Sequence, residues 1–465
     1  MTGTSPPDFS SPSGTTADSD DLIARWTQFA EASSRVDPAL YTKYEVKRGL
    51  RDISGKGVLA GLTQVGEVVA SREVGGHSEP GPGQLIYRGI DIEQLVAGFI
   101  TEGRFGFEET AYLLLFGILP DAQELATFQS YLAETRRLPQ NFIHDAILKQ
   151  PSPDIMNAMA RTVLSLYRLD PNPDDISLPS TMRQCLQLVA SFPLLAVYAY
   201  QAHAYNREKK SLVIHRPLAE LSTAGNILHM LRPNSSYSPL EEKLLDLSLV
   251  LHAEHGGGNN STFVAHVVSS SGTDTYATIS AALGSLKGPR HGGANLKVLQ
   301  MFNDLKAHVS DWSDATEVES YLLRLLARDA FDRSGLIYGV GHAVYSVSDP
   351  RALILKQHAQ ALAEEKNLLD EFHLYEIVER LAPEVIARSR TMYKGVSMNV
   401  DFYSGFLYHL LGIPPELFTP MFAIARIVGW SAHRLEELAN VGKIVRPAYK
   451  SVADRHDYVP LQQRS

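Results

Sequence analysis

The stretch HAEHGGGNNS, residues 252–261, sets His252 and His255 beside three glycines and two asparagines. Imidazoles titrate near neutrality and both donate and accept hydrogen bonds. Glycines let a ligand approach bare backbone. The theme returns twice. In GSLKGPRHGGANLKVL, His291 lies between Pro289 and Gly292, with Asn295 placed to cap the next helix. In GLIYGVGHAVYSVSDPRALIL, His342 follows glycines, and Arg351 follows Asp349 and Pro350. One such histidine has an ordinary structural reading, an imidazole meeting the unpaired carbonyls of a helix end. Repetition in similar settings favours a site. Asp401, in SMNVDFYSGFLYHLLGIPP, stands among Val400, Phe402, Tyr403 and Phe406. A carboxylate there costs energy unless paired, and its pKa rises. Asp401 is thus a candidate site carboxylate, with a helix cap for the run after it as the structural alternative. In TPMFAIARIVGW, Thr419 and Pro420 open a helix, and Arg426 falls on its apolar face. A buried arginine needs an anion, either an internal carboxylate or a bound substrate.

Other chemistries fit less well. A metal at His252 and His255 needs a third ligand. His266 and Glu254 are candidates, but the spacing is not the His-Glu-x-x-His of zinc hydrolases, and no metal site is assigned. The Gly-x-Gly before His342 follows no convincing buried strand, which argues against a dinucleotide fold. The single cysteine, Cys185, excludes an internal disulfide and a multi-cysteine metal site, and it points to a reducing compartment. A net charge of −9 disfavours nucleic acid, so any anionic small molecule must be held by local arginines. No apolar run reads as long enough for a membrane span. The first residues, MTGTSPPDFSSPSGTTADSDD, lack the features of a secretory or mitochondrial leader. The expectation is a cytoplasmic protein with no nucleic-acid or membrane partner and a disordered tail over 1–19.

These side chains need helices to hold them. DSDDLIARWTQFAEA starts a helix near Asp20, with Leu22, Ile23, Trp26, Phe29 and Ala30 at helical spacing. GLTQVGEVVASREV and GQLIYRGIDI carry short β-prone runs. FEETAYLLLFGILPDAQELATFQSYLAET reads as two helices broken at GILPD. In SPLEEKLLDLSLVLHAEH, Ser238 caps, Pro239 opens and Glu241 completes a capping box. That helix is expected to carry His252 and His255 in its last turn and to stop at Gly256. Asn259, Asn260 or Ser261 then caps the next helix, whose N-terminus favours an anion. The fold class is mainly α, with a small strand region near the N-terminus.

HAEHGGGNNS, GPRHGGAN, GVGHAVYSVSDPR and NVDFYSG occur in the order and rough spacing of citrate synthases, and IYRGIDIEQL with FEETAYLLLFGILP resembles their N-terminal part. The resemblance covers roughly 45–455 and includes the related 2-methylcitrate synthases. It implies a two-domain helical fold, with a large domain over 20–292 and 413–465 and a small domain over 293–412. It implies condensation of oxaloacetate with acetyl-CoA and hydrolysis of the citryl thioester, with coenzyme A entering as substrate and no other cofactor. Asp401 then matches the base, His291 the donor to the enol oxygen, and His342 the donor to the ketone. His255, Arg351 and Arg426 match oxaloacetate ligands. Arg446, in KIVRPAYKS, matches an arginine that enters the partner's site in a homodimer or higher assembly. Gly256 stands where many members carry an acidic residue. Ala343 and Ser346 stand where some carry a basic residue near the CoA phosphates, so Lys394, Arg388 and Arg390 are the replacements considered. Two other readings stay open: propionyl-CoA as acyl donor, and a noncatalytic dicarboxylate-binding homologue. A metal-dependent hydrolase is a weaker rival.

Overall fold

The computed structural model describes residues 16–52, 57–74, 77–342, 344–389, 395–440 and 442–464. The chain forms two compact units, one of residues 1–60 with 446–465 and one of residues 61–445.

In the first unit, helix α1 (Thr16–Ser34) begins ahead of Asp20, so the last residues of the expected disordered tail are helical. Residues 1–15 of that tail lie outside the described residues. Leu22, Ile23, Trp26 and Phe29 sit on α1 as their spacing predicts, yet all are exposed, Trp26 by 57%. Arg48 lies over the ring of Tyr41 at 4.4 Å and Lys450 over Tyr44 at 4.9 Å.

The second unit opens with the expected strands. β1 (Gly66–Val74) pairs antiparallel with β2 (His77–Tyr87), and β3 (Ile90–Asp91) pairs with β2. The register shifts between Val69 and Ser71, a local bulge. Helices follow. α2 (Phe107–Phe116) and α3 (Ala122–Thr135) flank the predicted break, and Asp121 with Glu124 boxes the start of α3. α4 (Leu178–Arg207) corrects one expectation, because it is long and apolar enough to cross a membrane. Its composition reflects a core position: 94% of its most apolar window is buried. Polar residues interrupt the apolar run and hid its length; Gln184, Ser191 and Gln201 are buried on it.

α5 (Pro239–His252) has the predicted Ser238–Glu241 capping box. It ends at His252, so His255 lies beyond the helix rather than in its last turn. α6 (Asn260–Ser269) starts after Asn259, whose side chain makes no capping bond. α7 (Ala294–His308) starts after Gly293, and Asn295 is a buried residue of its first turn instead of its cap. α8 (Pro350–Glu365) is capped by Asp349, and α9 (Val400–Leu410) by Asn399. α10 (Phe418–Ala439) runs through the core against α4, α5 and α6. α9 packs on α7 and α8. The ends of α5, α8 and α9 and the middle of α10 thus carry the residues singled out in the sequence.

Candidate active site

The structure brings His255, His291, His342, Arg351, Asp401 and Arg426 into one neighbourhood. His255 lies within electrostatic reach of Arg351, His342, Arg426 and His291. Asp401 lies within reach of Arg351 and Arg426. The rings of His255 and His342 sit 5.3 Å apart, and Tyr345 stacks on His342 at 4.7 Å.

Backbone pairing holds the GVGH and SMNVD motifs side by side. Val340 and Met398 form an antiparallel bridge. Gly341 N–H donates to Ser397 O at 2.7 Å, Asn399 N–H to Gly339 O at 2.9 Å, and Asn399 Nδ2 to Gly341 O at 2.9 Å. Gly339 is required here. Its φ is +80°, and a Cβ would come within 2.8 Å of the Phe402 ring, next to Asp401. From the other side, β2 anchors the loop that follows His342: Gly83 N–H donates to Ser348 O at 3.1 Å, and Tyr345 Oη to Gln84 O at 3.2 Å.

The two arginines differ. Asp349 takes Arg351 Nε at 3.0 Å and Nη2 at 2.7 Å, a buried fork-to-carboxylate pair. The same carboxylate accepts Val400 N–H at 3.1 Å, so it ties the start of α8 to the start of α9. Arg426 has no such partner. Its Nε donates to His252 O at 2.8 Å, while Nη1 and Nη2 are buried without a hydrogen bond among the described residues. Burial lowers its pKa to about 10, which leaves it charged at neutral pH. A buried guanidinium edge with two unused donors is a preformed anion site.

The histidines are neutral donors or acceptors by placement. Backbone N–H groups of Val344 and Tyr345 both donate to His342 Nδ1 at 3.0 Å. Its ring proton therefore sits on Nε2. At His291, Nε2 faces Ser261 Oγ at 3.0 Å and Ser261 N–H at 3.4 Å. Ser261 Oγ accepts Trp430 Nε1–H at 3.1 Å and donates its own proton to Asn259 Oδ1 at 3.1 Å, so the Ser261 backbone N–H is the donor that marks Nε2 as acceptor and puts the ring proton on Nδ1. Ser261 lies in the first turn of α6, the helix N-terminus expected beside an imidazole. Burial, then Arg426, pushes His291 down to about 4. Burial and the neighbouring cations also push His255 down, and its Nε2 is buried without a partner among the described residues. Asp401 is not a cap, since Asn399 accepts its N–H. Its Oδ1 is sealed from solvent with no hydrogen bond among the described residues, and burial raises its pKa to about 7.

The remaining assignments fall elsewhere. Arg446 is exposed and belongs to the first unit. Arg388 pairs with Glu319 at 2.6 Å. Arg390, Lys394 and Ala343 lie outside the described residues, and Ser346 is buried. Sequence reasoning passed over Asp349, Tyr345 and Ser261 as site residues. Asp349 carried a signal, because Asp-Pro-Arg places a cap, a first helical residue and a fork in series. It also missed His433, buried on α10, whose Nε2 meets Glu254 at 2.9 Å. Glu254 in turn accepts Gly256 N–H, so this pair braces the backbone after His255. Burial alone lowers a histidine, but Glu254 holds His433 up to about 9.

Neutral imidazoles, a high-pKa carboxylate and an unpaired buried guanidinium on a helical frame are the parts of an enzyme site. The chain belongs to the citrate synthase family of enzymes: the family profile for the citrate synthase C-terminal domain matches residues 54–448. It is 34% identical to a citrate synthase of Deinococcus radiodurans over 82% of this chain and 93% of that protein. It is 32% identical to a 2-methylcitrate synthase of Shewanella oneidensis over 82% of this chain and 92% of that one. The citrate synthase structure from Pyrobaculum aerophilum superposes with a TM-score of 0.71 at 29% identity, covering 90% of this chain and 95% of that one.

Proposed function

We propose that the chain condenses oxaloacetate with acetyl-CoA and hydrolyses the citryl thioester, releasing citrate and CoA. The observation that carries this reading is the pairing of Arg426, a buried cation with two free donors, with Asp401, a buried carboxylate with a free oxygen. Pure binding of a dianion needs the first and is opposed by the second, which speaks against a noncatalytic homologue. Arg426, Arg351 and His255 hold the oxaloacetate carboxylates. Asp401 removes a proton from the thioester methyl group, and His291 Nδ1–H donates to the thioester oxygen as the enol forms. The enol carbon then attacks the ketone carbon, whose oxygen takes a hydrogen bond from His342 Nε2–H. Water finally cleaves the citryl thioester and frees the thiol. No redox cofactor or catalytic metal enters these steps.

His342, Arg351 and Asp401 lie within 293–412, while His255 and Arg426 lie outside it. Movement of that segment as a small domain closes the site and excludes water. Arg388, Arg390 and Lys394 are assigned to the CoA phosphates, with Arg388 exchanging Glu319 for phosphate. The exposed apolar face of α1 supports a homodimer in which Arg446 completes the partner's site. Propionyl-CoA is the second reading, supported by the 2-methylcitrate synthase relative. Purified protein with oxaloacetate is tested for thiol release with acetyl-, propionyl- and butyryl-CoA in turn. Citrate with acetyl-CoA at the highest kcat/KM is expected. A higher kcat/KM with propionyl-CoA moves the assignment, and no release with any of them refutes it.

A further inference from the structure

The sequence raised His266 only as a candidate third ligand beside His252 and His255, and assigned no metal there. In the structure its Nε2 lies 3.1 Å from Nδ1 of His433, across the packed helices α6 and α10. The far nitrogen of each ring is held by a carboxylate: His266 Nδ1 by Glu437 at 2.8 Å, His433 Nε2 by Glu254 at 2.9 Å. With both rings neutral, each far nitrogen carries a proton and each near nitrogen turns a lone pair toward the other. Two lone pairs at this distance need a positive centre between them. A third donor stands beside them. Glu436 Oε1 accepts Gln64 N–H, whereas Oε2 is buried with no hydrogen bond among the described residues and lies 3.7 Å from His433 Nδ1.

Without an ion the positive centre is a proton on His433 Nδ1, which faces His266 Nε2, Glu436 Oε2 at 3.7 Å and Thr63 Oγ1 at 3.5 Å; a divalent ion displaces it and draws in the carboxylate. We propose that His266 Nε2, His433 Nδ1 and the Glu436 carboxylate bind a divalent transition-metal ion of the zinc class. Three ligand atoms of these residues lie within 4.8 Å of one another. Tetrahedral zinc with N and O ligands sets its ligand atoms about 3.3 Å apart, so the nitrogens are nearly in place and Glu436 needs a small rotation. The paired carboxylates are the outer shell that orients metal-bound histidines. His433 and Glu436 are three residues apart on one face of α10, and His266 faces them from α6. The site opens toward solvent on the His266 side, where His266 and Glu437 are 15% and 20% exposed, leaving a fourth position for water. It lies apart from the reacting groups but touches them through Glu254, which holds the Gly256 N–H after His255. The ion has a structural, loop-fixing role and takes no part in the proposed reaction.

The test uses full-length, tag-free protein stripped with chelator and titrated with zinc sulfate by calorimetry and with cobalt(II) in the visible range. One saturable zinc per chain, a tetrahedral cobalt spectrum, and a zinc-dependent rise in Tm are expected. His266→Ala and Glu436→Gln are each expected to weaken zinc binding at least tenfold and to abolish the Tm rise. The absence of a one-to-one site in the wild type overturns the proposal, as does unchanged affinity in the substituted proteins. If His266→Ala fails to fold, Glu436→Gln and the cobalt spectrum decide, because an octahedral spectrum also rejects this ligand set.

Discussion

At the scale of single residues, the site is held away from its most stable form. Asp401 has a folded pKa of about 7 against an ordinary 3.8. Between those pH values the folded chain keeps a proton that the unfolded chain has lost, so stability falls as pH rises through this window. Asp401→Asn removes that penalty. Its Tm relative to wild type is expected to rise from pH 5 to pH 8, and thermal melts at both pH values check it. The same group as base gives kcat/KM an ascending limb near pH 7. The arginines separate in a second experiment. Arg351→Ala leaves Asp349 buried and unpaired, a loss of roughly 3–5 kcal/mol. It is expected to lower Tm markedly and to raise the oxaloacetate KM. Arg426→Ala removes two Nη donors that no described residue uses, together with the single Nε bond to His252 O. It is expected to raise the oxaloacetate KM by on the order of 30-fold or more, with little effect on the acyl-CoA KM and a smaller drop in Tm. Equal loss of Tm in both proteins contradicts the distinction.

At the scale of elements, what was legible in the sequence was local. Ser238, Pro239 and Glu241 announce the start of α5 because capping chemistry is complete within four residues. The break between α2 and α3 and the short strands are equally local. The end of α5 was not, since three glycines permit a stop at His252 as readily as at His255. Asn295 is a strong cap former, yet Gly293 takes the cap position and the asparagine side chain is buried. The pairing of residues 339–341 with 397–399, which sets the backbone leading to His342 beside the backbone leading to Asp401, joins segments too distant for any periodicity to reveal. Nor did the sequence show which arginine has a carboxylate partner. Gly339→Ala probes that pairing. The left-handed φ and the Phe402 contact are expected to cost roughly 1–3 kcal/mol and to lower kcat more than they raise the oxaloacetate KM. Circular dichroism melts and steady-state kinetics measure both. Wild-type values dismiss the pairing as the positioning device.

At the scale of the whole molecule, Arg446 lies in a different unit from the other assigned residues, and the proposed dimer gives it a function there. If it serves the partner's site, a mixed dimer of Asp401→Asn and Arg446→Ala chains has one doubly altered site and one intact site. Random assortment makes about half the dimers mixed and about a quarter of all sites intact. Co-expression of differently tagged chains is expected to recover roughly a quarter of wild-type activity overall, concentrated in doubly tagged material at about half the wild-type activity per chain, whereas no recovery shows that sites are not shared. The central claim is that a prebuilt anion site presents oxaloacetate to chemistry performed by Asp401. Its most direct test measures oxaloacetate binding and thiol release on the same preparation of Asp401→Asn. Oxaloacetate affinity near that of wild type, with thiol release from acetyl-CoA reduced by on the order of 100-fold or more, is the expected result. Undiminished thiol release by a folded Asp401→Asn protein contradicts it.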